Sequence, residues 1–168
     1  NLACGNNFEQ MKASILPILQ AEKPDIVLVY GDTTSTLAGA QAAHSLSIPI
    51  AHIEAGLRSF NTSMPEEYNR IQTDRLSTWL FRPTHTAVEN LHHEGITTNV
   101  FHTGDVMYDA ALTFIPDHQT QADILSHYAV RSKQFAIATI HRAATAENVP
   151  ALKDIIQAFK QIELPILL

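Results

Sequence analysis

Apolar residues form short runs of about five along the chain, separated by longer stretches with helical periodicity. The first such stretch, residues 8–21, places Met11, Ile15 and Ile18 on one helical face. Short buried strands that alternate with amphipathic helices are typical of βαβ units, whose strands lie parallel in one sheet. The pattern predicts strands over residues 26–30, 48–53, 78–81 and 99–102, and helices over residues 8–21, 34–46, 66–77 and 84–93.

The alternation lapses over residues 103–117, which contain Gly104 and Pro116. We therefore predict a domain junction in this segment, with residues 1–110 in one α/β domain and residues 111–168 in a second. The remaining predicted elements are helices over residues 110–114, 119–127 and 149–162 and strands over residues 135–140 and 166–168.

The composition is that of a globular chain, with 45% hydrophobic and 17% charged residues among 168. The chain begins with Asn and ends inside an apolar run over residues 164–168, so we expect an internal fragment of a longer protein. No apolar run approaches the roughly 20 residues that span a bilayer, and the first segment lacks a signal-peptide pattern. We therefore expect a cytoplasmic protein without a membrane partner.

Charge and metal-binding residues exclude two further classes of function. The net charge of −6 argues against a nucleic-acid partner, because binding to polyphosphate requires a basic surface. Nine His residues are present, yet no pair has the helical i, i+4 spacing of a zinc motif, and we predict no bound metal. Cys4 is the single cysteine and cannot form an internal disulfide.

Ionisable residues follow three of the predicted strands at their carboxyl ends, where ligands bind in open parallel sheets. Asp32 follows the first strand and Glu54 the second. His141 and Arg142 follow the strand of the second domain. These residues are therefore candidates for binding or catalysis.

Each of these candidates also has a purely structural explanation. Asp32 could cap the helix that begins after it. His52 and Glu54 lie on one face of a strand and could pair with an arginine such as Arg58. The sequence alone leaves both interpretations open.

The same holds for two later groups of residues. His141 and Arg142 could form a solvated turn. Pro65 suits the start of a helix, where Glu66 and Glu67 would complement the helix dipole. Capping does not explain why the long connection before Pro65 crosses the sheet edge that carries the other carboxylates.

Four segments resemble the signature segments of UDP-N-acetylglucosamine 2-epimerases in their order and approximate spacing. They are residues 31–33 (Gly-Asp-Thr), 52–58 (His-Ile-Glu-Ala-Gly-Leu-Arg), 64–70 (Met-Pro-Glu-Glu-Tyr-Asn-Arg) and 103–110 (Thr-Gly-Asp-Val-Met-Tyr-Asp-Ala). The resemblance implies two Rossmann-like domains of the glycosyltransferase-B type. It also implies an isomerase of the non-hydrolysing type that is inactive as an isolated fragment.

The resemblance further implies a reaction by elimination and re-addition. A base removes the proton at carbon 2 of UDP-N-acetylglucosamine, UDP leaves carbon 1, and a 2-acetamidoglycal remains until re-addition gives the mannosamine epimer. No cofactor is implied. The partners implied are a UDP-sugar and, at full length, a second copy of the protein, with a role in cell-surface polysaccharide biosynthesis.

By position, the catalytic residues of the family fall on Asp32, Glu54, Glu66 and His141. The resemblance implies that Asp32 and Glu66 act as acid and base, that Glu54 shares the proton, and that His141 contacts the diphosphate. The arginines that it implies as substrate contacts are Arg58, Arg70 and Arg142.

One departure concerns the second domain, where members of the family usually have a Glu-Asn soon after the His-Arg pair. Here Ala144 stands in that region and Glu147 follows with Asn148. Either Glu147 replaces the missing carboxylate, or the ligand contacts of this domain differ.

Four other functions remain open from the sequence. They are an epimerase for a related UDP-diacetamido sugar, a hydrolysing UDP-N-acetylglucosamine 2-epimerase, a glycosyltransferase of the same architecture, and a non-catalytic fragment that binds a nucleotide sugar.

Overall fold

The computed structural model describes residues 7–141 and 143–168, so Cys4 and Arg142 lie outside the described residues. Strands and helices alternate along most of the chain. In chain order the elements are α1 (Phe8–Glu22), β1 (Val27–Tyr30), α2 (Thr34–Ser45), β2 (Ile50–Ile53), α3 (Pro65–Leu76), β3 (Trp79–Arg82), α4 (His85–His93), β4 (Val100–His102), α5 (Val106–Thr113), α6 (His118–His127), β5 (Ala136–Ile137), α7 (Ala143–Ala146), α8 (Val149–Phe159) and β6 (Ile166–Leu167).

Of the described residues, 7–112 form one compact unit, built on a four-stranded parallel sheet. The strands lie in the order β1-β2-β3-β4, and His52 in β2 is opposite Val29 on one side and Leu80 on the other. Sequential strands therefore lie side by side, and each is connected to the next by a βαβ crossover. The predicted α/β fold with a parallel sheet is confirmed.

Helix α2 packs against this sheet through small side chains. Ala40 and Ala43 are fully buried and pack with Val29 and Ile50 of the two neighbouring strands. Alanine favours the helix and allows close approach of its backbone to the sheet. This packing fixes the start of α2, which lies at the carboxyl edge of the sheet.

Residues 113–168 form the second unit, in which β5 and β6 pair in parallel. The sequence predicts a strand over residues 135–140, but the ladder contains only Ala136 and Ile137. A strand keeps its ladder only where a neighbour continues beside it, and β6 ends at Leu167.

Helix α5 is longer than predicted, because it begins at Val106 and not at residue 110. The carboxylate of Asp105 accepts hydrogen bonds from the backbone N–H groups of Met107 (2.8 Å) and Tyr108 (3.3 Å). These bonds satisfy donors that are otherwise unpaired in a first helical turn. Within the described ranges, no helix is both long and apolar enough to cross a membrane.

Candidate active site

Strands β1 and β2 end beside each other, with Tyr30 opposite Ile53. The N–H of Gly31 donates to the carbonyl of Ile53 (3.0 Å), so the turn after β1 is tied to the end of β2. Asp32 and Glu54 follow these strand ends. The structure thus places both predicted carboxylates at one edge of the sheet.

Asp32 is not the cap of α2. Thr33 takes that role, because its hydroxyl accepts from the N–H of Thr36 (3.4 Å). The hydroxyl of Thr36 donates to the carbonyl of Tyr30 (2.6 Å). The capping explanation for Asp32 is therefore wrong, and its carboxylate has a different partner.

That partner is Arg70 of α3, which bridges the two carboxylates. One guanidinium nitrogen, Nη2, lies 2.6 Å from Asp32 Oδ2 and 2.8 Å from Glu54 Oε1. Arg70 also donates to the backbone carbonyl of Glu54 through Nη1. The Arg70 side chain is 7% exposed, whereas those of Asp32 and Glu54 are 33% and 30% exposed. The carboxylates therefore remain open to a ligand while their cation is buried beneath them.

The backbone at Glu54 has a φ of +72°, a conformation that non-glycine residues rarely adopt. Its N–H and that of Ala55 both donate to the carbonyl of Phe81, at 3.0 and 3.1 Å. Such a conformation costs on the order of 1–3 kcal/mol and is found most often at functional sites. It directs the Glu54 side chain to Arg70 and the neighbouring Asp32.

Glu66 and Glu67 adjoin in α3 but have different environments. Glu66 is exposed and lies one helical turn before Arg70, on the same side of the helix. Glu67 is buried and accepts from the N–H (2.7 Å) and hydroxyl (2.9 Å) of Ser59 and from the N–H of Phe60 (3.0 Å). Glu66 is thus accessible, whereas Glu67 fixes the loop before α3.

The pKa of Glu67 lies below its ordinary value. Burial alone would raise it, but the hydrogen bonds from Ser59 and Phe60 and the nearby charge of Arg58 outweigh that effect. The ionised form is therefore the one that this loop stabilises. Sequence analysis gave Glu67 only a helix-dipole role, since its partners become neighbours only after folding.

Arg58 is an internal ion-pair partner. Its side chain is 1% exposed, and its Nε and Nη2 donate to both oxygens of Glu94, at 2.6 and 2.9 Å. Its Nη1 lies 2.8 Å from Asp74 Oδ2. Burial would lower the pKa of Arg58, but the bonds to Glu94 and Asp74 hold it above its ordinary value.

The predicted contact of Arg58 with a substrate receives no support from this geometry, because the guanidinium does not reach the surface. The suggestion that His52 and Glu54 pair with an arginine such as Arg58 is confirmed only for Glu54, and its arginine is Arg70. His52 contacts Asp74, and Glu54 contacts Arg70.

His141 lies in the second unit, where its side chain is exposed beyond the end of β5. Arg142 falls outside the described residues. Farther along, the Asn148 side chain caps α8 by accepting from the N–H of Ala151 (3.1 Å), while Glu147 is exposed. The Asn148 side chain is therefore engaged in a helix cap, whereas the carboxylate of Glu147 is exposed and could contact a ligand.

A cavity of about 350 Å³ lies in the second unit, between α6 and the two strands. Its walls include Leu125, Phe135 and Leu167 and contain no charged side chain. A nucleotide diphosphate requires cations or N–H donors, so this cavity is not the candidate site. Across residues 7–141 and 143–168, no group of three or more His, Cys, Asp or Glu side chains is arranged to hold a metal ion.

Comparison with known proteins gives a consistent result. The sequence model described as UDP-N-acetylglucosamine 2-epimerase matches residues 4–166. A UDP-N-acetylglucosamine 2-epimerase homolog of Methanococcus maripaludis is 49% identical over 151 residues, which cover 89% of this chain and 42% of that protein. The UDP-2,3-diacetamido-2,3-dideoxy-D-glucuronate 2-epimerase of Pseudomonas aeruginosa is 45% identical over 163 residues, covering 95% of this chain and 45% of that enzyme.

Solved structures agree with the fold. The crystal structure of Methanocaldococcus jannaschii UDP-GlcNAc 2-epimerase in complex with UDP-GlcNAc and UDP superposes with a TM-score of 0.81 at 39% identity. The match covers 92% of this chain and 43% of that one. The chain therefore spans less than half the length of these relatives.

Proposed function

The chain belongs to the UDP-N-acetylglucosamine 2-epimerase family of isomerases, as the sequence resemblance predicted, and from this we propose its part in the reaction. We propose that, in a full-length protein, it supplies the carboxylates that move the proton at carbon 2 of a UDP-linked amino sugar. The observation that carries this proposal is the partly exposed pair of Asp32 and Glu54, joined by the buried Arg70.

The charges of this cluster suit proton transfer. Arg70 carries one positive charge, and Asp32 and Glu54 carry two negative charges when both are ionised. The guanidinium balances one carboxylate and leaves one negative charge in excess. A carboxylate beside the C–H group of a substrate can accept its proton as a general base and return it as a general acid.

Glu66 is the candidate for the second proton-transfer group. Its side chain is exposed one helical turn from Arg70, so it lies near the carboxylate pair without being tied to the same cation. Inversion at carbon 2 requires proton removal on one face and delivery on the other. We propose that Asp32 and Glu66 serve the two faces and that Glu54 shares the proton with Asp32.

The order of bond changes follows from the chemistry of the sugar. Carbon 2 has no adjacent carbonyl, so a free carbanion there is too unstable to form. Departure of UDP from carbon 1 allows the electrons of the C–H bond to form a double bond, which gives a 2-acetamidoglycal. The exposed His141, together with Arg142, would stabilise the negative charge that develops on the leaving diphosphate.

The substrate is proposed as UDP-N-acetylglucosamine, and the product as UDP-N-acetylmannosamine. A UDP-2,3-diacetamido sugar is the second candidate, because the Pseudomonas aeruginosa enzyme that acts on such a sugar is 45% identical over nearly the whole chain. We propose the non-hydrolysing outcome, in a cytoplasmic protein that assembles as a homodimer at full length.

The experiment compares products and variants in a full-length protein that carries this chain. With UDP-N-acetylglucosamine, we expect the UDP-linked mannosamine epimer and no release of free sugar. We expect Asp32→Asn and Glu66→Gln each to lower kcat by about 10²- to 10⁴-fold with the fold intact, as loss of a general acid or base does.

Asp25→Asn is the matched control, since Asp25 is an exposed aspartate before β1, at the opposite edge of the same sheet. Free N-acetylmannosamine as the product would indicate a hydrolysing enzyme. Turnover of only the diacetamido sugar would establish the second candidate. Full activity of Asp32→Asn would show that the pair of Asp32 and Glu54 does not transfer the proton at carbon 2.

A further inference from the structure

A second polar cluster lies under the carboxylate pair, and its centre is His52. This residue belongs to the second strand of the sheet and is 0% exposed. Its Nδ1 lies 2.7 Å from Asp74 Oδ1, and its Nε2 lies 2.8 Å from the carbonyl oxygen of Gly31. Buried polar groups with good partners on every side hold a unique geometry, because loss of any bond leaves a costly unpaired group.

The partners of His52 determine where its protons are. The carbonyl of Gly31 can only accept, so Nε2 carries a proton and donates it. On the other side, a proton lies between Nδ1 and Asp74 Oδ1, because two unprotonated acceptor atoms would repel each other at 2.7 Å.

The buried pair of His52 and Asp74 contacts both loops that carry the catalytic candidates. His52 contacts the loop of Asp32, and Asp74 contacts the loop of Glu54. At the first end, His52 fixes the carbonyl of Gly31, the residue directly before Asp32. Gly31 has a φ of +67°, and an added Cβ there would meet no atom within 4 Å. Within this turn, the hydrogen bonds to His52 and Ile53 hold the carbonyl and the N–H of Gly31.

At the second end, the other oxygen of Asp74 accepts from the N–H of Gly56 (3.1 Å). Gly56 lies two residues after Glu54, in the turn where the chain leaves the sheet. The same oxygen contacts Arg58, which anchors the next part of the loop. A single buried pair thus links both turns.

We infer that His52 and Asp74 are positioning residues that set the spacing of Asp32 and Glu54 for proton transfer. This inference rests on the proposed function. Neither residue touches the substrate, because both are buried beneath the turns. Their effect on turnover passes through the backbone carbonyl of Gly31 and the backbone N–H of Gly56.

Two substitutions of His52 each remove one of its two hydrogen bonds and keep the other. The side-chain nitrogen of Asn reaches approximately the position of Nδ1, and that of Gln the position of Nε2. His52→Asn therefore keeps the contact with Asp74 and loses that with Gly31, whereas His52→Gln does the reverse. Each variant loses one buried hydrogen bond, and the loss of stability should be larger for His52→Gln, because its lost bond is the one to a carboxylate.

In the full-length protein we expect His52→Asn to lower kcat by about 10- to 100-fold, as displacement of a catalytic group does, with KM changed by less than about threefold. His52→Gln should retain several times more of the wild-type kcat. Ser45→Ala, which removes a hydrogen bond at the far end of α2, controls for lost stability alone. Equal kcat losses in the two His52 variants, or none, would overturn the inference.

A measurement on the unmutated protein covers the case in which these variants do not fold. Nitrogen-15 NMR of the His52 ring should show a proton bound to Nε2, and an unprotonated Nε2 would contradict the bond to Gly31. Wild-type turnover is measured alongside. Its absence would reject the proposed function and this inference together, whereas an active wild type with a fully active His52→Asn would reject the inference alone.

Discussion

Arg70 is a single cation that serves two acidic side chains and one backbone carbonyl. A planar guanidinium can direct separate N–H groups to several oxygens at once, which an ammonium group on a flexible stem cannot do in fixed geometry. The family resemblance of the sequence implied that Arg70 contacts the substrate. Its position beneath Asp32 and Glu54 gives it an additional and more direct part in holding the carboxylates together.

Replacement of Arg70 by Lys tests whether geometry matters beyond charge. The variant keeps one positive charge but cannot hold both carboxylates and the Glu54 carbonyl, so we expect kcat to fall by about 10- to 100-fold. Arg75→Lys is the control, because Arg75 is exposed in the last turn of the same helix. Steady-state kinetics on both variants makes the comparison, and wild-type kcat in Arg70→Lys would show that charge alone suffices.

Glu67 gives a prediction about stability and pH. Its pKa is lowered in the folded state, so its ionised form contributes stability that is present above the ordinary pKa of about 4.5 and is lost as the pH falls through the lower, folded value. Glu67→Gln should cost about 1–3 kcal/mol near neutral pH, because an amide cannot replace both acceptor oxygens. It should also reduce the dependence of stability on pH below 4.5.

Urea unfolding at several pH values measures both effects. Glu66→Gln is the matched control, since that neighbouring carboxylate is exposed, and its change should stay within about 0.5 kcal/mol. Equal effects of the two substitutions would show that the bonds to Ser59 and Phe60 do not stabilise the loop.

For single residues, the sequence predicted their positions in the fold better than it predicted their contact partners. Asp32 and Glu54 could be placed at the sheet edge because the carboxyl ends of neighbouring parallel strands must meet there. The partners of Arg58 and Glu67 could not be predicted, since these contacts join residues that folding brings together, such as Arg58 with Glu94.

The turn after β2 has little room for a larger residue at Gly56. Gly56 has a φ of +80°, and a Cβ added there would lie 2.5 Å from the carbonyl oxygen of Ala87 and 2.9 Å from Leu91 in α4. The side-chain amide of Asn90 donates to the Gly56 carbonyl (3.0 Å). Helix α4 therefore packs directly on the backbone of the turn that follows Glu54.

Gly56→Ala should destabilise the protein by about 2–5 kcal/mol, because the new methyl group meets a helix backbone that cannot move aside and the residue also keeps an unfavourable φ. Gly95→Ala is the control. Gly95 has nearly the same φ, +81°, but open space around it, so its cost should be only about 1–2 kcal/mol. Thermal or urea unfolding measures the difference, and similar losses would mean that the contact with α4 is unimportant.

The helices and strands of the first unit could be predicted because burial pattern and local propensity agree there. Helix α2, for example, combines a threonine cap with alanines that face the sheet. The start of α5 was missed because the capping signal of Asp105 is local and was outweighed by the lapse in hydrophobic pattern. The short β5 was missed because ladder length depends on the neighbouring strand and not on the strand's own sequence.

For the whole molecule, the two compact units divide the candidate chemistry between them. The first unit carries Asp32, Glu54 and Glu66, and the second carries His141. Under the proposed mechanism, proton transfer belongs to the first set and departure of UDP to the second. The relatives that the chain matches are more than twice as long as it is.

Deuterium incorporation at carbon 2 distinguishes proton transfer from hydride transfer. A full-length protein that carries this chain is incubated with UDP-N-acetylglucosamine in deuterated water, and the epimer is analysed by NMR and mass spectrometry. Proton transfer predicts deuterium at carbon 2 of the product and slower incorporation in Asp32→Asn. Slow variants should also release UDP and 2-acetamidoglycal. Epimer that keeps its original hydrogen at carbon 2 would indicate hydride transfer through a nicotinamide and would contradict proton transfer by Asp32, Glu54 and Glu66.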